Sequence, residues 1–218
     1  MGRHGAVIGI ALAAAIGLGR APGEVEEADV EMSRISGPLE SPRRHFRLRH
    51  PAELLPAEAE RIYRIALRAL RVGYAASGHP AGSGYLGWRR HNTAPYLSAT
   101  HGNHYVNNYA NPVASAYGRF EEAGRLPVGS VLAKDSFSLT DTGGILLGSL
   151  FVMEKMPPGF HYVTGGWRYT QILPDGTVLG QTKGPGAARV EYCIMCHLAR
   201  ERFDHLYFVP EGHRRSDP

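Results

Sequence analysis

The chain has few cysteines, little excess charge and no apolar run long enough to cross a bilayer. Its 218 residues include only two cysteines, too few for a disulfide scaffold or a four-thiolate metal site. The 24 Lys+Arg and 20 Asp+Glu residues leave a net charge of +4, which is too small and too scattered to indicate a nucleic-acid partner. A bilayer span takes roughly 20 consecutive apolar residues. We therefore expect a mature chain that binds neither nucleic acid nor membrane.

The N-terminus has the pattern of a secretory signal. Residues 5–19 form an apolar run preceded by Arg3, and the small residues Gly19 and Ala21 suit a cleavage site. We interpret residues 1–21 as a signal peptide and expect a periplasmic protein. A retained membrane anchor is the alternative.

The rest of the chain divides into a polar arm, a helix and a β-rich region. Residues 22–55 are polar and irregular and predict a linker. Residues 56–84 predict a helical extension that begins at Pro56 and closes at Gly73 and residues 78–80. Its apolar residues recur at helical spacing; they are Ile62, Ile65, Ala66, Ala69 and Leu70.

Residues 85–212 carry short apolar runs separated by turn residues. This texture predicts an α+β fold, with an antiparallel β-sheet domain and flanking helices. The predicted strands are 104–109, 130–137, 146–156, 167–173, 177–182 and 205–209. Short helices are predicted at 118–125 and 189–200.

The two cysteines lie in the run Cys193-Ile194-Met195-Cys196-His197, which is the attachment signature of c-type haem. Residues at i and i+3 share one face of a helix. Both thiols can therefore reach the vinyl groups of one porphyrin, while His197 directs a ring nitrogen to the iron. A redox-active cysteine pair and a zinc site completed by Asp204 and His205 remain alternatives. We favour covalent haem c attached through a C-terminal helix.

No methionine follows this motif, although methionine is the usual sixth ligand of an electron-carrying cytochrome. Met195 lies inside the motif, and Met153 and Met156 lie on a predicted strand, where core packing is the ordinary role. We expect five-coordinate iron with His197 as its metal ligand and an open position for a small molecule.

Further short motifs occur in a fixed order around the haem motif. They are Tyr109-Ala110-Asn111-Pro112, Pro127-Val128-Gly129 leading to Lys134, Val152-Met153-Glu154-Lys155, Gly166-Trp167-Arg168-Tyr169 and Leu206-Tyr207-Phe208-Val209. Taken together, residues 85–212 resemble the haem domain of the cytochrome P-460 family, which is related to cytochrome c′-beta.

This resemblance implies a haem whose macrocycle is also bonded to a lysine side chain, and Lys134 occupies that lysine's place. Lys155 and Lys183 are weaker candidates. Family members that oxidise hydroxylamine have a distal carboxylate on the following strand. Leu150 or Phe151 falls at that position here, depending on whether Gly148 or Lys155 anchors the comparison, and Glu154 could serve only if a bulge shifts the strand.

The resemblance implies a haem oxidoreductase that acts on hydroxylamine or a similar small nitrogen species, with a soluble redox partner and a tendency to form homodimers. The alternatives are a non-catalytic protein that binds NO or another diatomic gas, and an electron-transfer cytochrome. The polar stretches 89–92 and 100–108 hold three histidines, His91, His101 and His104. They could line a distal pocket, but we expect them mainly to cap turns.

Overall fold

The computed structural model describes residues 30–32, 48 and 51–215. The expected signal peptide and most of the expected linker lie outside the described residues. The helices are α1 (Pro56–Ala76), α2 (Pro80–Gly84) and α3 (Glu191–Leu198). The strands are β1 (Val30–Met32), β2 (Arg89–Arg90), β3 (Tyr96–Ser98), β4 (His104–Ala110), β5 (Val131–Leu139), β6 (Ile145–Leu147), β7 (Leu150–Lys155), β8 (Trp167–Ile172) and β9 (Val178–Gln181).

The strands form one nine-stranded sheet, which confirms the α+β class. β4 and β5 form its centre, β7, β8 and β9 follow on one side, and β2 and β3 pair with β4 on the other. All of these pairings are antiparallel. β1, which falls inside the expected linker, pairs parallel with β6.

Helix α1 covers one face of the sheet. Its N-terminus has Pro56 in the first turn, and the backbone N–H of Leu55 donates to the Glu58 carboxylate at 2.9 Å. Its buried stripe packs on side chains of β5, β6 and β7. The helix continues through Gly73 to Ala76, so the predicted stop at Gly73 is wrong. A Cβ at Gly73 would lie 1.8 Å from the Pro174 carbonyl oxygen, and glycine is needed there for close packing.

A β-bulge separates β6 from β7, where we predicted one continuous strand. β6 pairs with residues 137–139 of β5 and β7 with residues 131–134. Between these two pairings, residues 148–150 lie opposite residues 135–136 of β5, so the β6–β7 side has one extra residue. The Gly148 N–H donates to the Ser136 carbonyl at 2.8 Å, and the Ser136 hydroxyl donates to the Ser149 carbonyl at 2.8 Å. Because side chains alternate along a strand, the extra residue exchanges the side chains that face α1 with those that face the opposite side of the sheet.

The reversal is visible in the core. Ile145 and Leu147 of β6 are buried on the α1 face, whereas in β7 the residues on that face are Leu150 and Val152. Phe151 and Met153 therefore face the opposite side of the sheet. A second core cluster lies on that side and includes Leu132, Trp167, Tyr169 and residues of α3.

Two other predictions need correction. Residues 205–209 do not form a strand, because their backbone carbonyls are bound by side chains: Tyr117 donates to Tyr207 O and Arg214 to Val209 O. The helix predicted at 118–125 is instead a 3-10 segment, Pro112–Glu122, broken at Phe120 (φ 53°). Among the described residues, no helix is both long and apolar enough to cross a membrane.

Candidate functional site

A cavity opens on the face of the sheet opposite α1. The two cysteines, His197, Lys134 and Phe151 all line it. The cavity is open to solvent, and its empty space, counted with the open mouth, is about 690 Å³. The fold thus brings together residues that lie up to 63 positions apart in the chain, from Lys134 to His197.

Helix α3 presents both cysteines to this cavity as free thiols. Cys193 is only 8% exposed, and burial raises its pKa to about 12. The half-buried Cys196 lies 3.8 Å from the Tyr207 hydroxyl. A redox-active pair needs a thiol with a lowered pKa. The buried Cys193 has the opposite shift, so it is not suited to be the attacking thiol of such a pair.

The imidazole of His197 is held in one tautomer. Its Nδ1 lies 2.7 Å from the carbonyl oxygen of His205, and because a carbonyl oxygen only accepts, Nδ1 must carry the proton. The lone pair is then on Nε2. Burial lowers the pKa of His197 to about 4, so the ring is neutral at neutral pH. A neutral histidine that donates Nδ1–H to a carbonyl has the arrangement typical of metal ligands.

The loop that supplies this carbonyl is itself tightly held. Asp204 and His205 both have positive φ, 55° and 63°, a backbone conformation that costs energy outside glycine. Trp167 Nε1 donates to the Asp204 carbonyl at 2.8 Å, and the Leu126 N–H donates to its carboxylate at 3.0 Å. Lys155 Nζ lies 2.5 Å from the other carboxylate oxygen. These contacts fix the position of the His205 carbonyl.

Lys134 is the lysine that reaches the cavity. Burial lowers its pKa to about 8, which raises the neutral fraction at pH 7 by a few hundred-fold over an ordinary lysine with a pKa of about 10.4. Of the other two lysines of the chain, Lys155 is paired with Asp204 and Lys183 is exposed and donates to the Phe160 carbonyl. Neither lines the cavity.

The bulge decides which residue of β7 faces the cavity. Phe151 lies directly opposite Lys134 in the β5–β7 ladder and lines the cavity. Val152 is buried on the α1 face, and Glu154, two residues further along the strand, shares that face because side chains alternate. Its carboxylate accepts two hydrogen bonds from Arg168 at 2.8 Å each and lies 3.5 Å from His79. The structure therefore does not bring Glu154 to the cavity.

Tyr169 contributes a hydroxyl that has no hydrogen-bond partner within the described protein. The residue is 3% exposed, lines the cavity, and its ring centroid is 5.0 Å from that of His197. An unsatisfied buried hydroxyl costs about 1–3 kcal/mol. A group bound in the cavity that accepts a hydrogen bond would offset that cost.

His101 also lines the cavity, which is one of the two roles that its sequence position left open, the other being to cap a turn. Its ring centroid is 5.0 Å from that of Phe151. Its Nδ1 lies 3.2 Å from the Ser98 hydroxyl and 3.1 Å from the Thr100 hydroxyl. Of the three histidines that the sequence placed in polar stretches, His101 lines the cavity and His91 and His104 do not.

Within residues 51–215, no three His, Cys, Asp or Glu side chains are grouped as a metal ion bound by protein alone would require. No protein-family model matches the chain, and a search of curated proteins finds no match to it.

Proposed function

We propose that this chain is an exported mono-haem c-type cytochrome that oxidises hydroxylamine or a similar small nitrogen species. Cys193 and Cys196 would form the thioethers, and His197 would be the axial ligand. The observation that carries the proposal is the hydrogen bond from His197 Nδ1 to the His205 carbonyl at 2.7 Å. It leaves the Nε2 lone pair on a neutral imidazole that lines the same cavity as both thiols.

The residues present fit a covalently attached haem. Both thiols are free, they lie three residues apart on α3 and they line one cavity with the imidazole. The unpartnered Tyr169 hydroxyl supplies a donor for a group bound there. When bound, haem c supplies a redox-active iron with an open position for a small ligand.

Lys134 would supply the amine that bonds to the porphyrin edge. The new N–C bond would replace one N–H bond of the amine and one C–H bond of the porphyrin, and the two electrons released would go to an added oxidant such as a peroxide. Such a bond requires the neutral amine, and its burial favours that form. Phe151, its neighbour in the ladder, adds an apolar ring to the cavity wall. Electrons from the substrate would pass to a soluble one-electron acceptor.

A second function is favoured by the placement of Phe151 and Glu154. An apolar cavity wall without the family's carboxylate is suited to binding NO or another diatomic gas with no proton chemistry. A plain electron-transfer role would require a sixth ligand. Met153 is the methionine among the residues that line the cavity, and it pairs with Tyr169, whose ring contacts that of His197.

Steady-state assays of the holoprotein with hydroxylamine and an artificial one-electron oxidant test the proposal. We expect turnover well above that of free haem at equal concentration, and its loss in the Cys193→Ser/Cys196→Ser double variant. Wild-type turnover no higher than that of free haem, combined with tight NO binding, would contradict the oxidase and support the gas-binding function.

A further inference from the structure

We propose that Asn108 binds the small molecule that enters this cavity, by donating a hydrogen bond from its side-chain amide. This inference rests on the proposed function, because it names a ligand-binding residue of the same site. Asn108 lies on β4, is 4% exposed and lines the cavity. It stands directly opposite Lys134 in the β4–β5 ladder, and side chains directly opposite each other share one face of a sheet. Asn108 is therefore part of the same cavity wall as Lys134.

The neighbours of Asn108 fix the orientation of its amide. The Tyr117 hydroxyl donates to the carbonyl oxygen of Tyr207 at 2.9 Å. Because a phenol has a single O–H, this hydroxyl can only accept from the amide. The amide atom that lies 2.7 Å from the Tyr117 hydroxyl is therefore the nitrogen, Nδ2. At the other end of the amide, the Tyr96 hydroxyl donates to Oδ1 at 2.9 Å.

The nitrogen end of this amide lies on the cavity side. Tyr117, the partner of Nδ2, lines the cavity, whereas Tyr96, the partner of Oδ1, packs in a separate core cluster with Val106 and Val209. A primary amide has two N–H donors. Tyr117 accepts one of them, and in the part of the chain that the structure describes no group accepts the other. A buried donor without a partner is costly, so a bound molecule that accepts this hydrogen bond is favoured.

Asn108 and the expected axial ligand contact different rows of the cavity wall. Asn108 pairs with Lys134, and Lys134 pairs with Phe151. The ring of His197 instead contacts Tyr169, which pairs across β7 and β8 with the residue two positions beyond Phe151. Two residues of a strand span about 6.6 Å. The free N–H thus belongs to the row of the proposed cross-link and not to that of the axial ligand.

The free N–H sets which small molecules the cavity retains. Hydroxylamine and NO each have an oxygen that can accept a hydrogen bond from Asn108. A neutral hydrogen bond of this kind contributes about 5-fold to a dissociation constant. The bond transfers neither a proton nor an electron. Asn108 therefore acts on the affinity and orientation of the bound molecule.

The carbon monoxide adduct of the ferrous holoprotein tests the proposal without relying on hydroxylamine turnover. A donor that hydrogen-bonds to bound carbon monoxide draws electron density into it and weakens the C–O bond, which lowers the C–O stretching frequency in the infrared spectrum. The informative variant is Asn108→Leu, which has a side chain of similar size and no N–H. Tyr96→Phe is the matched control, because it removes the partner of Oδ1 and leaves the N–H donors in place.

We expect the C–O stretching frequency to be higher in Asn108→Leu than in wild type. The dissociation rate of NO from the ferrous holoprotein should rise by about 5-fold in the same variant. Tyr96→Phe should keep the wild-type frequency and rate. Asn108→Val gives the same comparison if Asn108→Leu does not fold.

The outcomes separate this proposal from the proposed function. Equal frequencies in wild type and Asn108→Leu, or an equal rise in Tyr96→Phe, would overturn the role of the Asn108 N–H alone. A rise confined to Asn108→Leu, in a holoprotein that does not turn over hydroxylamine, would support Asn108 as the ligand-binding residue and overturn the oxidase. A wild-type holoprotein that forms no carbon monoxide adduct would overturn both, since the open position that each requires would be missing.

Discussion

The Nδ1 of His197 lies 2.7 Å from the carbonyl oxygen of His205. These residues are eight positions apart, and the turn between them places both Asp204 and His205 at positive φ. A strained turn of this kind persists only where its surroundings hold it. Here Trp167, Leu126 and Lys155 all bind Asp204. The protein therefore maintains the turn at a cost, and its effect is to orient one imidazole.

The first prediction concerns the cross-link at Lys134. Mass spectrometry of the digested holoprotein should recover the Lys134 peptide joined to the haem peptide. Lys134→Gln should give a haem peptide without this addition and should shift the main visible band of the reduced protein. Lys183→Gln, at an exposed lysine outside the cavity, should change neither. Recovery of an unmodified Lys134 peptide from wild type would refute the cross-link.

The second prediction concerns the bulge at Gly148. A Cβ there would lie 2.1 Å from the Ser136 hydroxyl and 2.9 Å from the Ser136 carbonyl oxygen. We expect Gly148→Ala to lower the free energy of unfolding by about 1–3 kcal/mol, as overpacking does. Urea titration measures this. Gly84→Ala, where a Cβ would meet nothing within 4 Å, should be nearly neutral, and equal stability losses in both variants would contradict the packing argument.

The third prediction concerns the buried carboxylate of Asp135, which joins α1 to the sheet. It accepts hydrogen bonds from Tyr63 at 2.6 Å, Tyr85 at 3.1 Å and Asn107 at 3.0 Å. Burial raises the pKa of Asp135, while these donors favour its charged form.

Asp135→Asn replaces an acceptor that three donors share, and hydrogen bonds to charged groups contribute about 1.5–3 kcal/mol each. We expect a loss of roughly 3 kcal/mol in the free energy of unfolding. The surface variant Asp141→Asn should cost less than about 0.5 kcal/mol. An unchanged free energy of unfolding in Asp135→Asn would show that this hydrogen-bond network does not hold α1 on the sheet.

The fourth prediction concerns the pH dependence of stability at His91. This residue is 3% exposed, and burial, assisted by Arg89 and Arg215, lowers its pKa to about 4. In the unfolded chain this histidine has a pKa of about 6.5. Between pH 4 and pH 6.5 the unfolded state therefore binds more protons than the folded state. The contribution of His91 to the free energy of unfolding is therefore fully present above pH 6.5 and falls as the pH drops toward 4.

The loss for one such histidine approaches about 1.4 kcal/mol per pH unit. In His91→Asn the free energy of unfolding should depend on pH less steeply than in wild type, by this amount, below pH 6.5. Above pH 6.5 the curves of the variant and the wild type should run parallel. Denaturant titrations at several pH values provide the comparison. Parallel curves at all pH values would contradict the account of His91.

The sequence predicted the elements whose signals are local. The apolar spacing of α1 and the C-x-x-C-H motif predicted a buried stripe and a cavity-lining helix segment, because both depend on residues within a few helical turns. The phase of β7 could not be predicted. Residues 145–153 are almost continuously apolar, so alternation does not show which residues face the cavity, and one extra residue at the bulge moves Phe151 in and Glu154 out.

Other features depend on contacts between distant segments. The chain at residues 205–209 has strand-like composition, but side chains from elsewhere bind its backbone, and none of the nine strands of the described sheet pairs with it. Gly73 looks like a helix terminator in the sequence, and its role appears only beside Pro174. His101 enters the cavity through the fold of the turn after β3.

The most direct test of the central claim is the intact mass of the protein matured in a host that attaches c-type haem, measured after extraction with acidic acetone. The account predicts a mass increased by one haem that survives extraction and is absent from the Cys193→Ser/Cys196→Ser variant. A colourless protein, or one that loses its pigment and returns to the mass of the bare polypeptide, would contradict it.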